Sequence, residues 1–343
     1  MTDRSLILTA PAKINLYLGV HTERDARGYH RVDSLMAAVG LADTVTVTPA
    51  QALTVQTVPA SDFPMQKNTA YRAAIAMAER YGRDANVCVT IEKRIPLCAG
   101  LGGPSTDAAA VIVALAELWG IDRADPALDD IARGIGADVP FFLHTSPAFY
   151  VGGGDVLATE YPVLPATPVV LVKPHETSVS TVEAYRRFDE SPVPAEKPDA
   201  IASVLRAGDA EAAYALVHNN LGVISAQMEP RIQAVLDWLR AQEGTVAVDV
   251  CGSGACSFAI CDTVAAAAHL AGAAQQNGWW ACTTELIPNT VQIDAPKKLK
   301  ISLARGENLC YYSRANGLWL SLVEHCVRDA GVAGSNPVNP TRA

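Results

Sequence analysis

Three short stretches of this 343-residue chain hold residues suited to handling phosphate. The first is Pro96-Leu97-Cys98-Ala99-Gly100-Leu101-Gly102-Gly103-Pro104-Ser105-Thr106, where glycines and hydroxyls stand immediately ahead of a helical pattern. Glycine lets backbone N–H groups turn towards a ligand with no Cβ in the way, and a following helix offers unpaired N–H groups and a positive dipole end to an anion. Lys13 and Asn15, two residues apart in an alternating stretch, point the same way, so Lys13 is either a cation aimed into a site or one on a solvated strand face. Asp138 lies in Gly136-Ala137-Asp138-Val139-Pro140-Phe141-Phe142. A carboxylate among apolar neighbours is costly unless paired, so it is either a capped structural group or a working one. Phosphoryl transfer requires a base for the acceptor hydroxyl, a cation to balance phosphate charge and a cradle for the nucleotide phosphates. Asp138, Lys13 and the glycine run would supply those three parts.

Two familiar phosphate loops do not fit. A Walker loop places Lys and then Ser or Thr after its last glycine, whereas Gly103 is followed by Pro104. Gly100-Leu101-Gly102-Gly103 also lacks the dinucleotide spacing. The plain alternative is a glycine-rich turn that only joins a strand to a helix. Pro104 lacks an N–H, although proline is accepted in a helix's first turn.

The elements that must hold these residues follow from periodicity and punctuation. Leu6, Leu8 and Ala10 alternate, and Ile14, Leu16 and Leu18 continue a strand beyond Pro11. Strands are predicted over 44–48, 53–58 and 87–91, and a helix from the cap Asn68 to Tyr81, closed by Gly82. The helix behind the glycine run is capped by Ser105 or Thr106, presents Ala108, Val111, Ile112, Leu115 and Trp119, and stops at Gly120. A short helix over 126–134 leads into the Asp138 segment. Further on, strands are predicted over 169–172, 246–250, 258–261 and 284–291, and helices over 181–188, 200–205, 210–217 and 230–239. The Ala-rich run 264–274 reads as a tightly packed helix.

Composition limits the function. With half of its residues hydrophobic, the chain can bury the cores of two ordinary domains. A formal net charge of −9 argues against nucleic acid or an anionic membrane as a partner, so any anionic ligand must be held locally. The scattered cysteines form no CxxC pair and read as buried thiols. Neither a signal peptide nor an apolar run long enough to span a membrane is present, and a cytoplasmic location is expected.

Pro11-Ala12-Lys13-Ile14-Asn15, the Gly-Leu-Gly-Gly loop with Ser105-Thr106-Asp107-Ala108-Ala109 behind it, and Gly136-Ala137-Asp138-Val139-Pro140 together resemble the 4-diphosphocytidyl-2-C-methyl-D-erythritol kinase family. That family is a branch of the galactokinase, homoserine kinase, mevalonate kinase and phosphomevalonate kinase (GHMP) superfamily. Gly28-Tyr29-His30, Ser180-Thr181 with Tyr185, and Gly252-Ser253-Gly254-Ala255-Cys256 fit it in the same order. The resemblance implies an α+β, two-domain GHMP-kinase fold, with an S5-like ATP-binding domain over 1–155 and a ferredoxin-like substrate domain over 156–293. It implies Asp138 as general base, Lys13 as the charge-stabilising partner, and Pro96 through Thr106 as the ATP loop. Tyr29, His30 and Tyr185 would cover the cytidine and its phosphates, Asn15 would place the methylerythritol end, and Thr181 joins them on the substrate side. The implied reaction moves the γ-phosphate of ATP, with Mg2+, to the substrate's 2-hydroxyl; the metal ligands and oligomeric state stay unassigned. Another superfamily kinase acting on a sugar or mevalonate-like alcohol, and a nucleotide-binding protein without catalysis, are the alternatives.

Two departures stand out. Pro104 occupies a position that is usually Gly or Ser in the family, and Asn219-Asn220-Leu221-Gly222 matches only loosely. Beyond every matched motif, residues 294–343 open with Lys297, Lys298 and Lys300 and end rich in Gly, Pro and Asn. This segment is expected to lie outside the kinase fold, and its Gly334-Ser335-Asn336-Pro337-Val338 is what a transfer-RNA T-arm would encode if translated.

Overall fold

Two long strands, β1 (Leu6–Arg24) and β2 (His30–Pro49), open the chain and pair antiparallel from Leu6↔Val47 to Arg24↔His30. The structure, a computed structural model, describes residues 4–60 and 63–294. The register of the pair shifts between Pro11 and Ala12 and again between Asn15 and Tyr17, where local bulges re-aim the side chains. From Ala10 to Val20 β1 is buried on both faces, so Lys13 and Asn15 do not lie on a solvated face.

Next come β3 (Thr54–Val58), α1 (Thr69–Tyr81) and β4 (Val87–Glu92). Strand β4 pairs antiparallel with β2 and parallel with β3. Helix α1 starts and stops where its caps predict: the Asn68 side chain accepts from the Ala70 N–H, and Gly82 takes a left-handed φ of 60°. Then follow α2 (Gly103–Trp119), α3 (Pro126–Ile135) and the antiparallel hairpin of β5 (Ala148–Val151) and β6 (Val156–Glu160). Helix α2 opens earlier than expected. Gly102, at φ 74°, is its N-cap, Pro104 sits in the first turn, and neither Ser105 nor Thr106 caps it. Instead the Gly102 carbonyl accepts from the N–H groups of Ser105 and Thr106. Every residue from Thr106 to Ala116 is buried, because α1, α3 and the β1–β2 sheet surround the helix.

The remaining elements are β7 (Pro168–Pro174), α4 (Thr181–Glu190), α5 (Asp199–Arg206), α6 (Ala210–Tyr214), β8 (His218–Asn219) and α7 (Asn220–Met228), then α8 (Pro230–Arg240), β9 (Thr245–Val250), β10 (Ser257–Cys261), α9 (Val264–Gln276), β11 (Trp279–Ile287) and β12 (Gln292–Ile293). Strands β7, β9, β10 and β11 form an antiparallel sheet ordered β11-β7-β10-β9, the split βαββαβ arrangement of ferredoxin-like folds. Three sequence readings differ here, the first being α6, which ends at Tyr214 rather than at 217. Helix α7 was not expected, because burial nearly all round leaves no amphipathic period and Asn219-Asn220 with Gly222 resembles a turn. Strand β11 begins at Trp279 rather than at 284 and ends at Ile287.

The later strands return to the earlier sheet. Leu286 and Ile287 pair with Val39 and Ala38, β12 adds to β1 at Leu8 and Thr9, and β8 runs parallel to Tyr17 and Leu18. Met1–Ile293 thereby makes one compact unit. The division expected at 155/156 falls in the turn of the β5–β6 hairpin, whose two strands share one sheet. Apart from Asp294, the expected tail lies outside the described residues.

Two cores meet along β1 and β2. One packs α1 and α2 on Leu6, Leu8, Val45, Val47 and Val89. The other joins Ile14, Leu16 and Leu35 to Leu171 and Phe258, and it includes Ala99, Leu101, Cys251 and Cys256. The glycine run is thus pegged by its own apolar residues, and burying Leu101 contributes about 2 kcal/mol.

Candidate active site

The site is built where β1 passes between the two cores. Lys13 donates its backbone N–H to the Leu101 carbonyl at 3.0 Å, which ties the strand to the glycine run. Its side chain is only 3% exposed, and Nζ donates to Asn15 Oδ1 at 2.8 Å. Asn15 in turn donates from Nδ2 to Ser34 Oγ at 2.9 Å, which fixes the amide with its oxygen towards the lysine. Asp138 Oδ2 lies 3.4 Å from Lys13 Nζ, and that carboxylate is 37% exposed. A buried ammonium therefore faces a carboxylate that remains open to a ligand. Asp138 is aimed by its neighbours: Val139, Phe141 and Phe142 are fully buried and hold the turn between α3 and β5.

Two glycine turns abut here, backbone against backbone. Ala255 N–H donates to the Cys98 carbonyl at 3.1 Å and Cys256 N–H to the Ala99 carbonyl at 3.2 Å. A Cβ on Gly100 would stand 1.8 Å from the Cys251 carbonyl oxygen, and one on Gly252 would stand 3.3 Å from Lys13 Nζ. The second turn is held from behind by α7, a contribution invisible in its loosely matched sequence. Asn219 Nδ2 donates to the carbonyls of Val250 (2.9 Å) and Gly252 (2.8 Å), while Ser225 Oγ donates to Ser253 O at 2.9 Å. Asn219 also caps α7, accepting from the Gly222 N–H, so the amide pair signalled a helix start but not this clamp.

Within the glycine run, Leu97, Cys98 and Pro104 are exposed, and Pro96, Gly100, Gly102 and Ser105 are partly so. Gly103 is buried. Thr106, the last residue of the expected ATP loop, is fully buried, and its hydroxyl has no hydrogen-bond partner among the described residues. Helical spacing puts it on the same face as Ala109, Ala110 and Val113. Pro104 has no N–H and the Ser105 and Thr106 N–H groups bond Gly102, so Gly103 is the first-turn residue whose N–H these bonds do not use.

On the other side of the pair stands the start of α4. Thr181 Oγ1 is 2.8 Å from Ser253 Oγ. The Tyr185 phenol is pushed up to about 12, by burial first and then by the charge of Asp138. The His30 ring packs 5.1 Å from that of Tyr185 and edge-on to Phe188. His30 is buried, with Nδ1 2.7 Å from the His21 carbonyl oxygen and Nε2 3.2 Å from Asp189 Oδ1 without hydrogen-bond alignment. Tyr29 stands apart on the β1–β2 turn, 60% exposed, with the Arg27 guanidinium 5.1 Å over its ring. Among the described residues no group of three or more His, Cys, Asp or Glu side chains is placed to hold a metal ion, and no helix is long and apolar enough to cross a membrane.

The fold is that of the GHMP kinases: residues 68–146 match the GHMP kinases N terminal domain, and 201–278 match GHMP kinases C terminal. A crystal structure of 4-(cytidine 5'-diphospho)-2C-methyl-D-erythritol kinase is 33% identical and superposes with a TM-score of 0.68, over 82% of this chain and 99% of that one. Homoserine kinase from Cytophaga hutchinsonii, 18% identical, shares the fold with a TM-score of 0.66, over 86% of this chain and 98% of its own. The 4-diphosphocytidyl-2-C-methyl-D-erythritol kinase of Paramagnetospirillum magneticum is 35% identical over 82% of this chain and 99% of its own length. That of Mycolicibacterium gilvum is 36% identical over 78% and 85%. The chain belongs to the 4-diphosphocytidyl-2-C-methyl-D-erythritol kinase family.

Proposed function

We propose that this protein transfers the γ-phosphoryl group of ATP to the 2-hydroxyl of 4-(cytidine 5'-diphospho)-2-C-methyl-D-erythritol, a step of the non-mevalonate route to isoprenoid precursors. The observation that carries the reading is the Lys13–Asp138 pair, an ammonium 3% exposed and 3.4 Å from a carboxylate 37% exposed, set beside two glycine turns in a chain of this family. Asp138 accepts the hydroxyl proton while the substrate oxygen bonds to the γ-phosphorus and the bond to the ADP oxygen breaks. Lys13, held by Asn15, balances charge on the phosphoryl group in flight. The loop over 96–105 cradles the nucleotide, and Thr181, Tyr185 and His30 border the cytidine-linked substrate, with Tyr29 on the β1–β2 turn at its outer edge. Magnesium, bound through the nucleotide's phosphates, would supply further charge neutralisation.

The test is ADP release in the presence of MgATP and one alcohol at a time. Turnover with the cytidine-linked methylerythritol, and little with homoserine, mevalonate or galactose, is the expected result. Faster turnover of one of the other alcohols would reassign the substrate, and ATP binding without turnover of any would remove the catalytic reading.

A further inference from the structure

Beside the glycine run, three charged side chains are buried together. Asp43 on β2 is fully buried, Asp107 on α2 is 4% exposed, and the Lys93 side chain is 14% exposed. Lys93 Nζ donates to an oxygen of each carboxylate, at 2.6 Å in the case of Asp107. The other Asp43 oxygen accepts the backbone N–H groups of Arg94 and Ile95. Lys93 therefore lies just before the run and Asp107 just after it, and one ammonium joins the two ends. The same ammonium backs the helix start, since a Cβ on Gly103 would stand 3.4 Å from it.

We propose that Asp43, Lys93 and Asp107 are positioning residues for the nucleotide loop: the ion pair closes the loop at its base, and Asp43 fixes both the lysine and the backbone at 94–95 from the neighbouring strand. This rests on the reading of 96–105 as the nucleotide cradle. Three buried charges are a poor means of stabilising a fold, because desolvation offsets most of their attraction and apolar side chains of similar volume do as well or better. What such a triad supplies is geometry. It joins β2, the segment leaving β4 and the first turns of α2 in one register, with two of the three Lys93 N–H donors held by carboxylates.

The test pairs variants. In the triple variant Asp43→Asn/Lys93→Met/Asp107→Leu no buried charge is left unpaired, and the amide oxygen at position 43 can still accept the backbone N–H groups of Arg94 and Ile95. The expected result is a melting temperature near that of the unmodified protein, an ATP KM raised about tenfold or more, kcat at saturating ATP within about twofold, and an unchanged alcohol KM. Asp107→Asn, which keeps an acceptor for Lys93, should restore most of the ATP affinity seen to be lost in Asp107→Ala. Trypsin cleavage after Arg94 should accelerate in the triple variant relative to cleavage after Arg186 on α4. That readout uses no substrate, so it stands even if the cytidine-linked alcohol is not turned over, in which case ADP titration replaces KM. An unchanged ATP KM or ADP affinity in the triple variant, or trypsin cleavage accelerated equally at both sites, would overturn the proposal.

Discussion

Gly100→Ala strains the seam between the two glycine turns. The new Cβ would stand 1.8 Å from the Cys251 carbonyl oxygen, where real Cβ contacts begin near 3.0 Å, so the two backbones must part by more than an ångström. Such a separation breaks the bonds from Ala255 N–H to Cys98 O and from Cys256 N–H to Ala99 O, each worth about 1 kcal/mol. Holding alanine at the native φ of 75° costs about 1–2 kcal/mol more. The total, about 3–4 kcal/mol, corresponds to a fall in melting temperature of roughly 5–7 °C for a chain of this size. Because Lys13 is bonded to Leu101 in the same run, kcat should fall about a hundredfold, the effect expected of an ångström's misplacement. Gly82→Ala is the control: it also has a positive φ, 60°, but nothing lies within 4 Å of its Cβ, so it should cost about 1 kcal/mol and leave kcat unchanged. Calorimetry and steady-state ADP release measure both. A Gly100→Ala protein with the unmodified kcat would refute the account of the seam.

Three further outcomes are expected. Asp138→Asn should lower kcat by about a hundredfold or more with ATP affinity nearly intact, and near-normal turnover would remove Asp138 as the base. Burial, with the charge of Asp43 added, pushes Asp107 up to about 7 against the pull of Lys93. Its folded value lies above the unfolded one, so the associated stability is full below about pH 4 and is lost as pH climbs through about 7; melting temperature should fall between pH 5 and pH 8, and Asp107→Asn should flatten that fall. A variant with the same slope would contradict the assignment. Truncation after Ile293 should preserve melting temperature and turnover, since Met1–Ile293 is compact by itself, whereas truncation after Val291 removes β12 from β1 and should lower both.

Features decided by a few adjacent residues were legible in the sequence. Asn68 and Gly82 bound α1, and Gly120 ends α2, because a side-chain acceptor and a glycine at positive φ act within one turn of backbone. Lys13 and Asn15 share a side, as residues two apart on a strand do, although a bulge lies just beyond them. What periodicity could not show depended on which segments come to rest against one another. Whether Lys13 faces water or Asp138 is settled by the Asp138 turn packing across β1, which no spacing along the chain encodes. Thr106 looks like a cap until α2 starts at Gly103 and places it inside the helix, fully buried. Helix α7 and the Asn219 clamp were hidden because an element buried nearly all round has no polar face to set a period. The docking of Gly252 on Gly100 and the Asp43–Lys93–Asp107 tie join residues far apart in the chain, so tertiary packing alone decides them.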